Sequence, residues 1–368
     1  MILARYLIRK LAMTFALLFG VFAGMLILLD MVEQVRRLSD HQVGFAQIVR
    51  LAVLNAPQTL YQITPLVMVL SSMAVFLTMS RSSELVVIRA AGRSGLRMMV
   101  VPVLATMLVG AVYVAVMNPL VASATREYQR VLAQLRGDVV TAVTVARDGL
   151  WLRQGVEGGQ VVINAAGASP DGTVLRDVTF LVFAHDIEDG GGVVRRLHAH
   201  EARLTLGAWE LYSVKDWNLG AENPEAAAGT MARLDLPTDL TPSQIRDSFA
   251  RPGAIPLWEL PGFIRALERA GFAALEHRVW LQMELALPLL LAGMMLLAAG
   301  SSMHMARAGG AGLRALATIL AGFALFFLRN FAQVLGESGQ IPVILAAWAL
   351  PVASMLLALG IMLNTEDG

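Results

Sequence analysis

The chain has 368 residues, 56% hydrophobic and 15% charged, with a formal net charge of +1 and a mean hydropathy of +0.62. An ordinary soluble domain carries about 25% charged residues, and no soluble core requires uncharged runs as long as 51–80 and 98–125. The balanced charge implies no polyanion partner, no basic face with interleaved aromatics points to nucleic acid, and the absence of cysteine removes disulfides, thiol nucleophiles and thiolate metal sites together.

The first apolar run, Leu11 to Leu29, follows Arg5, Arg9 and Lys10. It is long for a leader and has no small-residue cleavage site before Asp30, so it reads as a first membrane span. About 20 apolar residues cross the hydrocarbon, and six segments meet that length. They are Leu11–Val35, Pro57–Ser80, Met98–Val121, Leu285–Met305, Ala315–Leu335 and Ile341–Leu363. The predicted fold is an α-helical membrane protein with six transmembrane helices and an inserted all-β domain. Residues 1–125 hold spans one to three, 139–250 the β domain, and 256–368 a connecting helix with spans four to six.

Orientation follows from basic residues in short loops, which stay cytoplasmic. Arg5, Arg9, Lys10, Arg81, Arg89, Arg93, Arg97, Arg307 and Arg314 fall on one side; Arg36, Arg37 and Arg50 fall on the other. Both termini and the 81–95 loop are predicted cytoplasmic, and the middle region faces outward.

Between the first two uncharged runs lies "RSSELVVIRAAGRSG", 81–95. Ser82 or Ser83 is suited to cap a helix, Glu84 then sits in its first turn where the dipole favours an acid, and Gly92 suits its stop. The predicted helix, 82–92, is too short to span. Two readings fit: a surface helix that docks in a groove of another protein, or a solvated turn between spans.

The middle region changes period. "GLWLRQG", "QVVINAAGA", "DVTFLVFAHD", "VRRLHAHEARLTL" and "WELYSVKDWNL" alternate partially and are punctuated by turn signals such as "SPDGT". Short, evenly spaced strands of this kind predict a sandwich or jellyroll-like module, with a loop-rich cap as the alternative. After it, Leu257, Leu260, Ile264 and Leu267 form the apolar side of an amphipathic helix leading into the fourth span.

No energy source is built into the sequence. A P-loop needs lysine after glycine, and the two lysines, Lys10 and Lys215, follow Arg9 and Val214. "HEARL" has Leu204 where a zincin requires its second histidine. His198 and His200 share a strand face but are too few to hold zinc, so no metal is predicted. The serines lack a nucleophile-elbow motif.

Charges near or within spans are costly and face a cavity, a partner or the interface. Asp30, Glu33, Arg36 and Arg37 end the first span; Arg329, with Asn330 and Gln333, lies toward the outer end of the fifth.

The coupling-like "RSSELVVIRAAGRS", the opening "RYLIRK", "NAPQTLYQITPLVMVL" in span two, "DGLWLR" before the β region and "GQIPVILAAWALP" before span six carry a resemblance across the whole chain. In them the sequence resembles the LptF/LptG family of lipopolysaccharide export permeases, nearer the LptG branch. The resemblance implies a periplasmic β-jellyroll, a sister permease, a cytoplasmic ABC ATPase dimer and a periplasmic bridge protein of jellyroll fold. It implies no catalytic residue and no cofactor in this chain, with ATP and Mg on the ATPase. Glu84 would pair with an ATPase arginine, with Ser83 and Arg89 on the same coupling segment. Spans one and five would line the gate where lipopolysaccharide enters. The sequence departs from the family in two places: Asp30 stands where a lysine is common, and Arg329 where an acid is frequent. Arg36, Arg37 and Arg329 are therefore the phosphate-contact candidates, with Glu33 and Asp30 beside them. Two rivals remain open: a scaffold of an envelope-spanning complex that moves no substrate, and a membrane enzyme using Asp30 and Glu33.

Overall fold

The computed structural model describes residues 2–38, 43–82, 84, 95–136, 143–146, 149–156, 159–169, 172–184, 192–238, 240–241, 251–302 and 311–366. Three long helices come first: α1 (Ile2–Arg37), α2 (Phe45–Arg81) and α3 (Gly95–Arg136). Among the described residues seven strands follow, β1 (Val143–Ala146), β2 (Gly149–Val156), β3 (Gly159–Ala168), β4 (Val174–Ala184), β5 (Val193–Thr205), β6 (Ala208–Asn218) and β7 (Gly229–Pro237). A short α4 (Leu260–Arg269) precedes α5 (Leu275–Ser302), α6 (Ala311–Glu337) and α7 (Val343–Glu366). The chain divides into two compact units, Met1–Val131 with Leu275–Gly368, and Leu132–Ala274.

In the first unit all six expected spans are helices long and apolar enough to cross a membrane. They are longer than their apolar runs. α2 begins at Phe45, so Pro57 lies inside the helix together with Pro65. Membrane helices tolerate interior proline where neighbouring helices and local adjustments re-satisfy the backbone. α5 begins at Leu275, ten residues before the predicted start at Leu285, which draws Glu284 into the span.

Burial separates the helices by role. The spanning windows of α2 and α5 are 67% and 83% buried, against 6% for α1 and 17% for α6, so α2 and α5 form the centre. α5 packs on α7 through small residues, the usual device in a membrane, where backbones must approach closely. A Cβ on Gly293 would collide with the Ser354 hydroxyl. α6 turns Leu316, Leu320, Phe323, Phe327, Phe331 and Val334 outward at spacings of three and four, an apolar stripe suited to hydrocarbon. Its opposite side holds Leu325, which is buried, and Gly322, which stands against Val69.

In the second unit the strand order is the chain order, each neighbour pair antiparallel. This meander is creased. The register skips one opposed pair at the same level between successive strands: Ala166 with Asp177, Asp177 with His200, His200 with Ser213, and Ser213 with Ala232. Asp177 and Ser213 adopt left-handed backbone, φ 46° and 53°. The register is the same on both sides of the crease, so every strand steps over one residue at the same level, and inward-facing positions change there from a spacing of two to three. The buried pairs Ala165 and Ala168, Leu175 and Val178, Ala199 and Ala202, and Leu211 and Val214 record that slip. Phe180 and Trp209, from opposite sides of the crease, meet edge to face at 6.1 Å, which closes the two halves on one core.

The α-helix of the amphipathic segment spans Leu260–Arg269, with Leu260, Ile264 and Leu267 buried; Leu257, expected on its apolar side, is buried in the turn before it. The helix stops because Gly271 takes φ +92° against the Ala168 carbonyl, where any side chain would clash. The Ala168 amide meanwhile donates to the Ala270 carbonyl at 2.7 Å, fixing this end of β3.

Candidate functional site

Inside the helical unit the chain assembles a polar cluster around a carboxylate. Glu284 is 2% exposed, on α5. The Tyr61 hydroxyl of α2 donates to it, and Asn118 of α3 adds a second hydrogen bond. These contacts answer the cost of burying a polar group in an apolar span. The Tyr61 ring stacks on Tyr113 of α3, centroids 5.5 Å apart and planes 8° from parallel. The Tyr113 hydroxyl lies 2.7 Å from Thr64 Oγ1. Phe19 of α1 meets the Tyr113 ring edge-on at 6.5 Å, and Phe15 stacks on Phe19 at 5.7 Å. An unbroken series of side chains therefore runs from α1 through α3 and α2 to Glu284 on α5.

Two cavities flank this series. One, about 260 Å³, is lined by Tyr61, Gln62, Trp280, Glu284, Arg329 and Gln333 among others, from α2, α5 and α6. A water occupies about 30 Å³ in the liquid, so several waters or a small oxyanion fit. Arg329 turns into this cavity and not onto the apolar stripe of α6. Among the described residues no ion pair closes directly on its guanidinium; Glu284, across the shared space, is its nearest opposing charge within the cavity. The Trp280 Nε1–H is likewise buried without a hydrogen-bond acceptor among the described residues. The second cavity, about 120 Å³, is apolar, lined by Leu11, Phe15, Met68, Val109, Tyr113 and Leu291 among others. Tyr61 faces the polar space and its stacked partner Tyr113 the apolar one.

The charges at the end of α1 have partners of their own. Asp30 accepts from Asn55 Nδ2 at 2.9 Å and from Gln34 Nε2 at 3.3 Å, and Gln34 also donates to the Tyr128 hydroxyl at 2.9 Å. Asp30 thus ties α1 to α2, and Gln34 ties α1 to α3. Glu33 accepts from Arg36 and Arg37 one turn on, at 3.0 and 2.8 Å. The side chains of Arg36 and Arg37 remain 79% and 52% exposed. Asp30 and Arg329 are not brought together: Asp30 bonds amides, and Arg329 shares its cavity with Glu284.

A second cluster joins the start of α1 to the end of α2. Glu84 accepts from the Tyr6 hydroxyl at 3.1 Å and from Ser82 Oγ at 2.9 Å, with Lys10 Nζ 3.5 Å away. Partial burial pushes the Glu84 carboxyl up, but the hydrogen bonds from Ser82 and Tyr6 and the charge of Lys10 outweigh it and hold the group below the usual carboxylate range. Ser82 ends α2, its amide reaching the Thr78 and Ser80 carbonyls. The expected helix 82–92, with Ser83 and Arg89, otherwise lies outside the described residues.

Of the histidines, His198 Nδ1 lies 3.2 Å from Thr179 Oγ1, and His200 Nδ1 lies 3.2 Å from Asp177 Oδ1 in the crease.

Sequence reasoning missed Glu284, Tyr61, Tyr6 and Lys10 as members of these clusters. The signal for Glu284 was present: an acid in "LQMELALPLLL", a stretch apolar enough to be membrane on both sides.

No curated protein matches the chain. The sequence does match the model of the family described as Lipopolysaccharide export system permease LptF/LptG, over residues 5–364. That match takes in all six spanning helices and the whole creased sheet between them, so the polar clusters described above sit in a chain that belongs to the LptF/LptG family of lipopolysaccharide export permeases.

Proposed function

We propose that this chain is the LptG-type permease subunit of an ATP-driven exporter that draws lipopolysaccharide out of the inner membrane. It works beside a sister permease and a cytoplasmic ABC ATPase dimer, and hands the lipid to a periplasmic bridge protein. ATP and Mg belong to the ATPase. Both termini face the cytoplasm and the creased sheet faces the periplasm, in keeping with the basic residues of the short loops. The observation that carries this reading is the family match over residues 5–364, which spans both helical halves and the β insertion.

In this reading the chain contributes positions and not bond chemistry. Arg36 and Arg37 present two exposed cations at the end of α1, where lipid phosphates accept charge-assisted hydrogen bonds; Asp30 and Glu33 hold that end of the helix in place. Arg329 is the inward cation of α6, reached from the polar cavity. Glu84 docks the ATPase through a guanidinium contact.

The experiment is reconstitution of the chain with sister permease and ATPase in lipid vesicles loaded with lipopolysaccharide. ATP-dependent transfer of the lipid to a soluble bridge protein is expected. An intact, ATP-hydrolysing complex that transfers nothing would leave the chain a scaffold.

A further inference from the structure

The Glu84 carboxylate already has its partners inside the chain, and this bears on how it receives another protein. A carboxylate offers about four acceptor positions, two on each oxygen. Oε1 receives Ser82 Oγ at 2.9 Å and faces Lys10 Nζ at 3.5 Å; Oε2 receives the Tyr6 hydroxyl at 3.1 Å. Lys10 also donates to the Tyr6 hydroxyl at 3.2 Å and stands 5.3 Å from the centre of its ring. The three α1 and α2 donors therefore form one closed cluster with the acid, not three separate contacts.

A guanidinium fork places one N–H on each carboxylate oxygen. Oε2 has a position open for it, and Oε1 does not. Of the two groups on Oε1, the lysine contact is the longer, and it joins side chains that are 24% and 33% exposed. It yields first.

We propose that Tyr6 and Lys10 are a latch on the docking acid: a partner arginine competes with Lys10 for Glu84, so the start of α1 is part of the ATPase docking surface. This rests on the reading that Glu84 docks a guanidinium-bearing groove of the ATPase. Its consequence is directional. Docking releases Lys10, and α1 registers the event directly, without transmission along α2 and through its two interior prolines, Pro57 and Pro65.

The test uses the full chain with its sister permease in lipid nanodiscs, and measures affinity for the ATPase. Lys10→Gln removes the competing charge and should tighten binding about two- to fivefold, the range that a partly exposed ion pair commands. Tyr6→Phe keeps the ring and removes one donor, and should act in the same direction. Lys10→Arg should stay within twofold of the parent. Glu84→Gln should weaken binding, and adding Lys10→Gln to it should change nothing more. Unchanged or weaker binding in both Lys10→Gln and Tyr6→Phe, with Glu84→Gln still weak, overturns the latch and leaves the docking reading standing. Parent-like binding by Glu84→Gln overturns the docking reading and the latch with it.

Discussion

Arg329 on α6 and Glu284 on α5 look into one cavity from neighbouring helices, with Tyr61 holding the carboxylate from a third. A cation and an acid at this depth answer each other across low dielectric, where their attraction is far stronger than in water. Sharing this cavity gives Arg329 an opposing charge inside the bundle, on a span whose outer stripe is apolar.

Removing one member leaves the other charge exposed to that environment. Arg329→Gln or Glu284→Gln alone should cost about 3–5 kcal/mol, and the double substitution much less than the sum. Thermal midpoints and yields of the purified variants measure this. Strict additivity of the two losses would show that the residues do not act as a pair. Exchanging Asp30 and Arg329, by contrast, should rescue neither single change, because Asp30 is committed to Asn55 and Gln34.

The contact of α5 with α7 has no room at Gly293. Gly293→Ala drives a methyl into the Ser354 side chain and should destabilise the bundle by about 1–3 kcal/mol, the usual cost of overpacking. Ser354→Gly in the same chain should recover part of the loss. A Gly293→Ala variant as heat-stable as the parent would mean the helices separate easily here.

Orientation is testable on a clean background, because the chain has no cysteine. Glu222→Cys, in the turn after β6, should react with an impermeant thiol reagent applied to intact spheroplasts. A reporter fused after Arg93 should read cytoplasmic. Reversal at either site would overturn the assigned topology.

The β domain offers a pH marker. Glu225 accepts from Lys215 and, at 2.6 Å, from Trp217 Nε1. The Lys215 bond first and the Trp217 bond second hold its carboxyl below the usual range. A depressed acid contributes stability above its unfolded value, about 4.3, and loses it only as pH falls through the lower folded value. The indole N–H resonance of Trp217, identified by Trp217→Phe, should therefore be constant from neutral pH to about 5 and move only on further acidification. A midpoint at or above the ordinary carboxylate value would contradict the contact.

At the crease, side chains that resist left-handed backbone should be costly. Ser213 sits at φ 53°. Ser213→Gly should be neutral or stabilising, while Ser213→Val should destabilise by about 1–3 kcal/mol. Chemical unfolding of the two variants compares them directly.

Much of the architecture was legible because the bilayer imposes a length and a polarity on each span. The six apolar runs announced α1, α2, α3, α5, α6 and α7, and alternation announced β2 through β6. Helix limits were less legible. Pro57 reads as a beginning, yet α2 passes through it, and Glu284 reads as an end, yet it lies nine residues inside α5. Both errors share a cause: a breaker or a charge stops an apolar run on paper, while in the bundle a neighbouring helix supplies the missing partner. The clusters were illegible for a related reason. Tyr61 lies 223 residues from Glu284 and Tyr6 lies 78 from Glu84, and no local pattern reports contacts set by helix packing.

The slip in the sheet has a use outside this chain. Buried positions that normally recur every second residue jump by three at one level in β3, β4, β5 and β6. Such a jump is a registration mark written in the amino-acid sequence. Lining up the marks of successive strands fixes which residues lie opposite one another before any coordinates exist. The marks also constrain how the domain changes over time. A residue gained or lost within one strand displaces its mark from its neighbours' and turns half its side chains to the wrong face. Changes in length should therefore gather in turns such as 219–228, and a strand that alters its length should do so in step with the strand beside it.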